Sequence, residues 1–105
     1  MDLLFKNPEF GEGMMLTVRR GIKWDLMKGK HVIVRETGTE KKIGTARIYD
    51  TKVIAAHMIL EKEDSLHLEH DPECRTKDGL FDEMERIYPG WRPCEIVTLV
   101  YFDIL

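Results

Sequence analysis

The closing segment, Cys94-Glu95-Ile96-Val97-Thr98-Leu99-Val100-Tyr101-Phe102-Asp103-Ile104-Leu105, constrains the fold more than any other part of the chain. In a strand, successive side chains point to opposite faces, so each alternate set of residues defines one face. Here both sets are apolar: Ile96, Val100, Phe102 and Ile104 on one side, Val97, Leu99 and Tyr101 on the other. Such a strand needs cover on both faces. A chain of 105 residues, 43% hydrophobic and 33% charged, can supply that cover as one domain spanning 1–105, without disulfides or a structural metal.

The remaining elements follow from pattern. Met14 to Arg20 reads as a short strand stopped by Gly21. Gly29 to Thr37 is rich in β-branched residues, and Gly38-Thr39-Glu40 supplies a turn into a second strand, Lys42 to Tyr49, to make a hairpin. Asp50-Thr51-Lys52 leads to Val53–Ile59, which continues that strand through a bend, and Gly44 points to a bulge or a tight barrel corner. Glu61 to Lys77 is acidic and broken by Pro72, which predicts a loop with at most a short helix before His70. Asp78 is placed to cap a helix whose apolar face is Leu80, Phe81, Met84, Ile87 and Tyr88, ended by Pro89-Gly90. Several strands with a helix inserted before the last predict an α+β fold, a small barrel capped by helices.

Charge is segregated. From Met14 to Ala56 ten Lys/Arg face four acids, and from Glu61 to Arg86 ten acids face four Lys/Arg. That polarity suits either a basic face for an anion or two halves that neutralise each other across the surface. His67-x-x-His70 with Cys74 holds zinc-type ligands, but no second pair stands at a recognised spacing and Pro72 breaks the run, so it reads as a solvated loop; no metal and no cofactor are expected. His31 and His57 fall in predicted strands and read as structural. Cys74 and Cys94, with no Cys-x-x-Cys, read as reduced thiols. No apolar run approaches the ~20 residues of a membrane span. Met1 to Lys6 is too short, and charged too early, for a signal peptide, so a cytoplasmic location is expected.

Two pieces of the chain resemble a known family. Thr17-Val18-Arg19-Arg20-Gly21-Ile22-Lys23 is similar to the end of the Gly-x-Lys-x-x-Thr-x-Arg signature of the ASCH family, in the PUA-like superfamily of small RNA-associated β-barrels. Lys28-Gly29-Lys30-His31-Val32-Ile33-Val34 resembles the strand start that follows it. Met84-Glu85-Arg86-Ile87-Tyr88-Pro89-Gly90-Trp91, with Val97 to Phe102, resembles the family's terminal helix, Tyr-Pro turn and last strand. The resemblance implies a PUA-like barrel with one or two short helices. It implies binding of RNA or a (modified) nucleotide at a basic cleft through Thr17, Arg19, Arg20 and Lys23, with Trp24 as a stacking surface.

One branch of the family hydrolyses N4-acetylcytidine with a Lys, a Thr and a Glu. By that resemblance Thr17 would be the nucleophile and Glu73, sixteen residues before Pro89, the proton donor. The lysine position, three before the threonine, holds Met14, which cannot move a proton. Nothing in the sequence brings Lys6 or Lys23 to that place. An amidohydrolase of acylated pyrimidine nucleosides is therefore the alternative to a binding domain. A protein partner, unnamed, that uses the acidic loop is a third reading.

Overall fold

The structure, a computed structural model, describes residues 2–7 and 9–105. Met1, at the start of the segment weighed as a leader, lies outside them. Five strands, β1 (Asp2–Phe5), β2 (Met15–Arg20), β3 (His31–Glu36), β4 (Lys42–Ala55) and β5 (Ile96–Ile104), form one sheet in the order β1-β3-β4-β5-β2. Among the described residues a single α-helix, α1 (Lys77–Ile87), stands before β5, and short 3-10 turns occupy Lys23–Met27, Ala56–Met58, Leu66–Leu68 and Pro72–Cys74. β1 runs parallel to β3; the other pairings are antiparallel.

The hairpin forms where the turn chemistry places it. Gly38 takes φ +93°, a conformation that strains any residue with a Cβ. β4 is the long member, and its two halves serve different neighbours: Lys42 to Arg47 pairs with β3, Ala46 to Ala55 with β5. A register shift between Ile48 and Asp50 leaves Tyr49 as an extra residue, and another falls on β4 at Ile43, between the partners of Val34 and Arg35 and next to Gly44. Each bulge adds local twist, and together they curl the sheet into a half-barrel. The irregularity expected at Gly44 is thus found, one residue away.

β5 is covered on both faces, as its sequence demands. Val97 and Leu99 pack with Leu16, Val18, Leu66, Leu80, Met84 and Trp91 in a layer beneath α1. Val100 and Phe102 pack with Leu3, Phe5, Val32, Val34 and Ile48 inside the curl. Thr98 is fully buried between them and donates its hydroxyl to the Gly21 carbonyl at 2.7 Å, so no polar group is stranded there.

Four features depart from expectation. β1 was not anticipated: four residues carry too little pattern, and only the distant pairing with β3 makes them a strand. The strand expected to reach Ile59 stops at Ala55, so His57 lies in a 3-10 turn, with Nδ1 3.2 Å from the Pro93 carbonyl. The cap of α1 is Thr76, whose hydroxyl accepts the Gly79 N–H at 3.2 Å; Asp78 sits inside the first turn, where its charge suits the helix N-terminus. The loop holds the short 3-10 turn expected before His70 and a second one after it, capped by Asp71.

β1 and β2 are the outermost strands, yet the curl turns them toward each other. Arg19 on β2 donates from Nη2 to the Leu4 carbonyl on β1 at 2.8 Å, and its guanidinium lies 4.9 Å from the Phe5 ring centre. The barrel is left open along this seam. Among the described residues, no helix is long and apolar enough to cross a membrane.

Candidate functional site

An edge strand presents backbone groups that its own sheet cannot satisfy. On β2 the segment around Glu69 takes the place of a partner strand. The Leu16 carbonyl accepts the His70 N–H at 2.8 Å, and Leu16 and Glu69 form an isolated parallel bridge. The Glu69 carboxyl is drawn in the same way: it accepts the Asp71 N–H at 3.2 Å and lies against the Val18 N–H. Between β1, β2, this loop and α1 remains a cleft of about 590 Å³.

Its floor is made by Thr17, Arg19 and Glu69. Thr17 and Glu69 are each 5% exposed. Arg19 donates from Nε to Thr17 Oγ1 at 3.1 Å, which leaves the threonine's own proton free to be given away. Burial pushes the Glu69 carboxyl up to about 8, although the Asp71 and Val18 amides and the Arg19 guanidinium oppose the rise. At neutral pH Glu69 is therefore a carboxylic acid, with one donor and an acceptor, beside a guanidinium that stays charged although burial lowers its pKa. One wall is apolar, from Leu80, Met84 and Ile87 of α1.

The rim is different. Glu83 is held down to about 2, first by its hydrogen bonds with Arg86, whose Nε lies 3.0 Å from Oε2, and then by Lys6, whose Nζ pairs with Oε1. Lys6 thus stands at the mouth of the cleft that contains Thr17, whereas Met14 is 46% exposed and outside the lining. His70 is stacked on Phe10 at 4.5 Å, meets Phe5 edge-on at 5.0 Å, and places Nε2 2.8 Å from the Asn7 carbonyl. Those contacts occupy it within the fold. Among the described residues no group of three or more His, Cys, Asp or Glu is arranged to hold a metal. Cys74 is buried and its thiol is pushed up by burial, so it is unreactive packing; Cys94 is exposed and also free.

The residues singled out in the sequence divide between two places. Thr17 and Arg19 meet on the cleft floor, and Glu73 lines the cleft but stays exposed. The acid that turns inward is Glu69. Spacing to Tyr88-Pro89 points to Glu73, which lines the cleft; the buried carboxyl of the same loop is Glu69.

Arg20, Lys23 and Trp24 line a second hollow of about 570 Å³, which shares Leu4, Arg19 and Tyr88 with the first. Arg20 is held by Glu95, Nε to Oε1 at 2.9 Å, and lies 5.0 Å from the Tyr88 ring centre. Trp24 corrects an expectation: it is 4% exposed and belongs to the cluster with Val32, Ile48 and Phe102, so its ring packs the core instead of offering a stacking face. Among the described residues one ion pair, Lys52 with the buried Asp64, joins the basic and acidic halves; Arg20, Lys28 and Arg35 find Glu95, Asp50 and Asp2 elsewhere.

The class defined so far is a small α+β half-barrel with a cleft at its open seam. A solved structure of this kind is protein EF3133 from Enterococcus faecalis V583, of the family described as DUF984, which superposes with a TM-score of 0.57 at 12% sequence identity. The match covers 87% of the present chain and 63% of that one, and it is a likeness of fold. No family model matches the chain, and no curated protein matches it.

Proposed function

We propose that the chain is an ASCH-type, PUA-like domain whose seam cleft binds the base of a pyrimidine nucleoside. The observation that carries this is the Glu69 carboxyl, buried on the cleft floor beside Arg19 and Thr17. A neutral carboxyl offers a donor and an acceptor side by side, which complements the adjacent donor and acceptor on the pairing edge of a pyrimidine. Val18, Leu80, Met84, Ile87 and Tyr88 give the ring apolar cover, and about 590 Å³ lies within the range of small-molecule sites. A phosphate would be poorly received there, since Asp71 and Glu73 line the cleft and Glu83 already holds Lys6.

Titration of labelled protein with cytidine and N4-acetylcytidine tests the proposal. We expect amide shifts at Thr17, Arg19 and Glu69, retention of binding in Glu69→Gln, which keeps a donor and an acceptor, and loss of about tenfold or more in Glu69→Ala. Unchanged affinity in Glu69→Ala would overturn it.

A second reading, hydrolysis of the N4-acetyl amide, is favoured by one observation: the Thr17 hydroxyl and the Glu69 carboxyl are both buried in the lining of one cleft. Thr17 Oγ1 would attack the acetyl carbon as Glu69, in its carboxylate form, takes the hydroxyl proton. The amide C–N bond then breaks, cytidine leaves with that proton, and water releases acetate from the threonine ester. Acetate release that rises with pH through about 8 and vanishes in Thr17→Val is expected if the cleft is catalytic; no acetate at any pH leaves the binding domain.

A further inference from the structure

The edge of β4 is open beyond the reach of β3. β3 pairs with Lys42 to Arg47, and Gly29 and Lys30 bond the Ile48 backbone, so from Asp50 to Ala55 β5 is the only strand beside β4 among the described residues. The phase of that pairing fixes what the free side presents. The Gly21 N–H donates to the Ile96 carbonyl on the β2 side and the Ala56 N–H to the Glu95 carbonyl, so Lys52 and Ile54 are the residues that exchange hydrogen bonds with Leu99 and Val97. Thr51, Val53 and Ala55 turn their N–H and C=O groups outward. The Asp50 carboxylate accepts the Thr51 N–H at 2.9 Å, and among the described residues none accepts the N–H of Val53 or Ala55. An edge in this state is a template for another strand.

We infer that this edge pairs with the same edge of a second copy of the chain, antiparallel about a twofold axis at Val53. Charge decides the occupant. A lysine on an exposed edge ordinarily repels an incoming strand, but Lys52 is folded onto the buried Asp64. Asp50 pairs with Lys28 at 3.1 Å, and Asp25 accepts the Thr51 hydroxyl at 2.8 Å. With these charges spent inside the fold, the edge suits an uncharged strand, and its own outward residues Thr51, Val53 and Ala55 form one. With the axis at Val53, Thr51 lies opposite the partner's Ala55 and Val53 opposite the partner's Val53, and each such pair exchanges two hydrogen bonds. An axis at Lys52 would set two lysines against each other. Apolar surface flanks the edge on both faces. Val53 is 40% exposed; Leu26, on the turn that Asp25 ties to Thr51, is 77% exposed, and Leu60, whose N–H bonds the Asp64 carboxylate, is 55% exposed. A twofold contact brings each toward its counterpart and leaves no free edge of β4 to propagate. None of these residues lines the seam cleft or the hollow beside it, so the pairing is independent of the base-binding reading.

Sedimentation velocity of the full chain between about 1 µM and about 500 µM tests the pairing. We expect monomer at the low end and mostly dimer at the high end, the strength of a small transient contact. Val53→Lys, which sets two ammonium groups together at the axis, should weaken the dimer about tenfold or more, and Val53→Glu should do the same. An equal mixture of the two variants should regain about tenfold over either alone, because opposite charges then face each other. Val53 is exposed, so these variants fold as the wild type does, and an unchanged urea midpoint checks it. Val53→Pro, which removes an outward N–H, should also abolish the dimer. Amide exchange at Val53 and Ala55 should slow as concentration rises, which a contact through Leu26 or Leu60 alone would not produce. A wild-type chain still monomeric at about 500 µM overturns the inference and leaves the edge to a strand from another protein. A dimer that survives Val53→Lys and Val53→Pro, or one that leaves exchange at Val53 and Ala55 unchanged, puts the contact on another surface and overturns it as well.

Discussion

Glu69 and Glu83 face the same cleft, and the fold drives them in opposite directions: Glu69 on the floor is pushed up to about 8, Glu83 on the rim is held down to about 2. Both are largely buried. The difference lies in what reaches them. Glu83 stands at the edge of α1, where the long side chains of Arg86 and Lys6 can swing over from solvent and bond it. Glu69 is pinned between β2 and its own loop, where two backbone amides and a guanidinium committed to Thr17 and Leu4 offset only part of the lost hydration. The floor is thus a place for a hydrogen-bonding neutral acid, and the rim a place for fixed charge. On the proposed reading, recognition of an uncharged base would fall to the first, while the second is held by ion pairs with Lys6 and Arg86.

The contrast is broken most severely at Gly79. An added Cβ there would lie 1.9 Å from the Glu73 carbonyl oxygen and 3.2 Å from Thr76 Oγ1, so α1 could not rest on the Pro72–Cys74 turn. Gly79→Ala should cost about 3 kcal/mol or more, read as a lowered midpoint in urea unfolding. Removing the floor acid comes next. The folded pKa of Glu69 lies above the ordinary carboxylate value, so the folded state holds the proton more tightly; that stability is full below about pH 4.5 and is lost as pH rises to about 8. Glu69→Gln should match the wild type at pH 5 and exceed it by roughly 2–4 kcal/mol at pH 8.5, an upper figure that relaxation of the loop would reduce.

The rim has the opposite sign and a smaller size. The folded pKa of Glu83 lies below the ordinary value, so its contribution is present above that value and is lost as pH falls toward about 2. Glu83→Gln should cost about 1 kcal/mol at pH 7 and nothing near pH 2, the difference shrinking in 1 M salt because both cationic partners are solvated. Lys6→Ala should be the mildest change, about 0.5 kcal/mol or less, since Arg86 still holds Glu83. Comparing it with Glu83→Gln shows whether Lys6 serves the ion pair or the cleft.

Much of this arrangement could be read before the fold was known, and the reason is local. β5 declares itself through two apolar faces, the hairpin through Gly38, and α1 through Leu80, Met84 and the Pro89-Gly90 stop. The contrast between floor and rim could not be read this way, because it depends on contacts between distant segments. β1 becomes a strand only through β3, and Lys6 meets Glu83 across 77 positions of sequence. The family resemblance alone offers Trp24 as a stacking surface; as a residue it reads as packing, and the curl of the sheet encloses it. Glu69 is one acid among ten between Glu61 and Arg86, and its burial follows from the pairing of its loop with an otherwise open strand edge.

The most direct test is a carboxyl-carbon NMR titration of Glu69 in the intact protein, with and without cytidine. In the free protein Glu69 should titrate near pH 8, and cytidine should move that value higher, because it binds the protonated form; affinity should then fall as pH rises past 8. A Glu69 that titrates in the ordinary carboxylate range, or one whose titration cytidine leaves unmoved, would contradict the assignment of the seam cleft as a base-binding site.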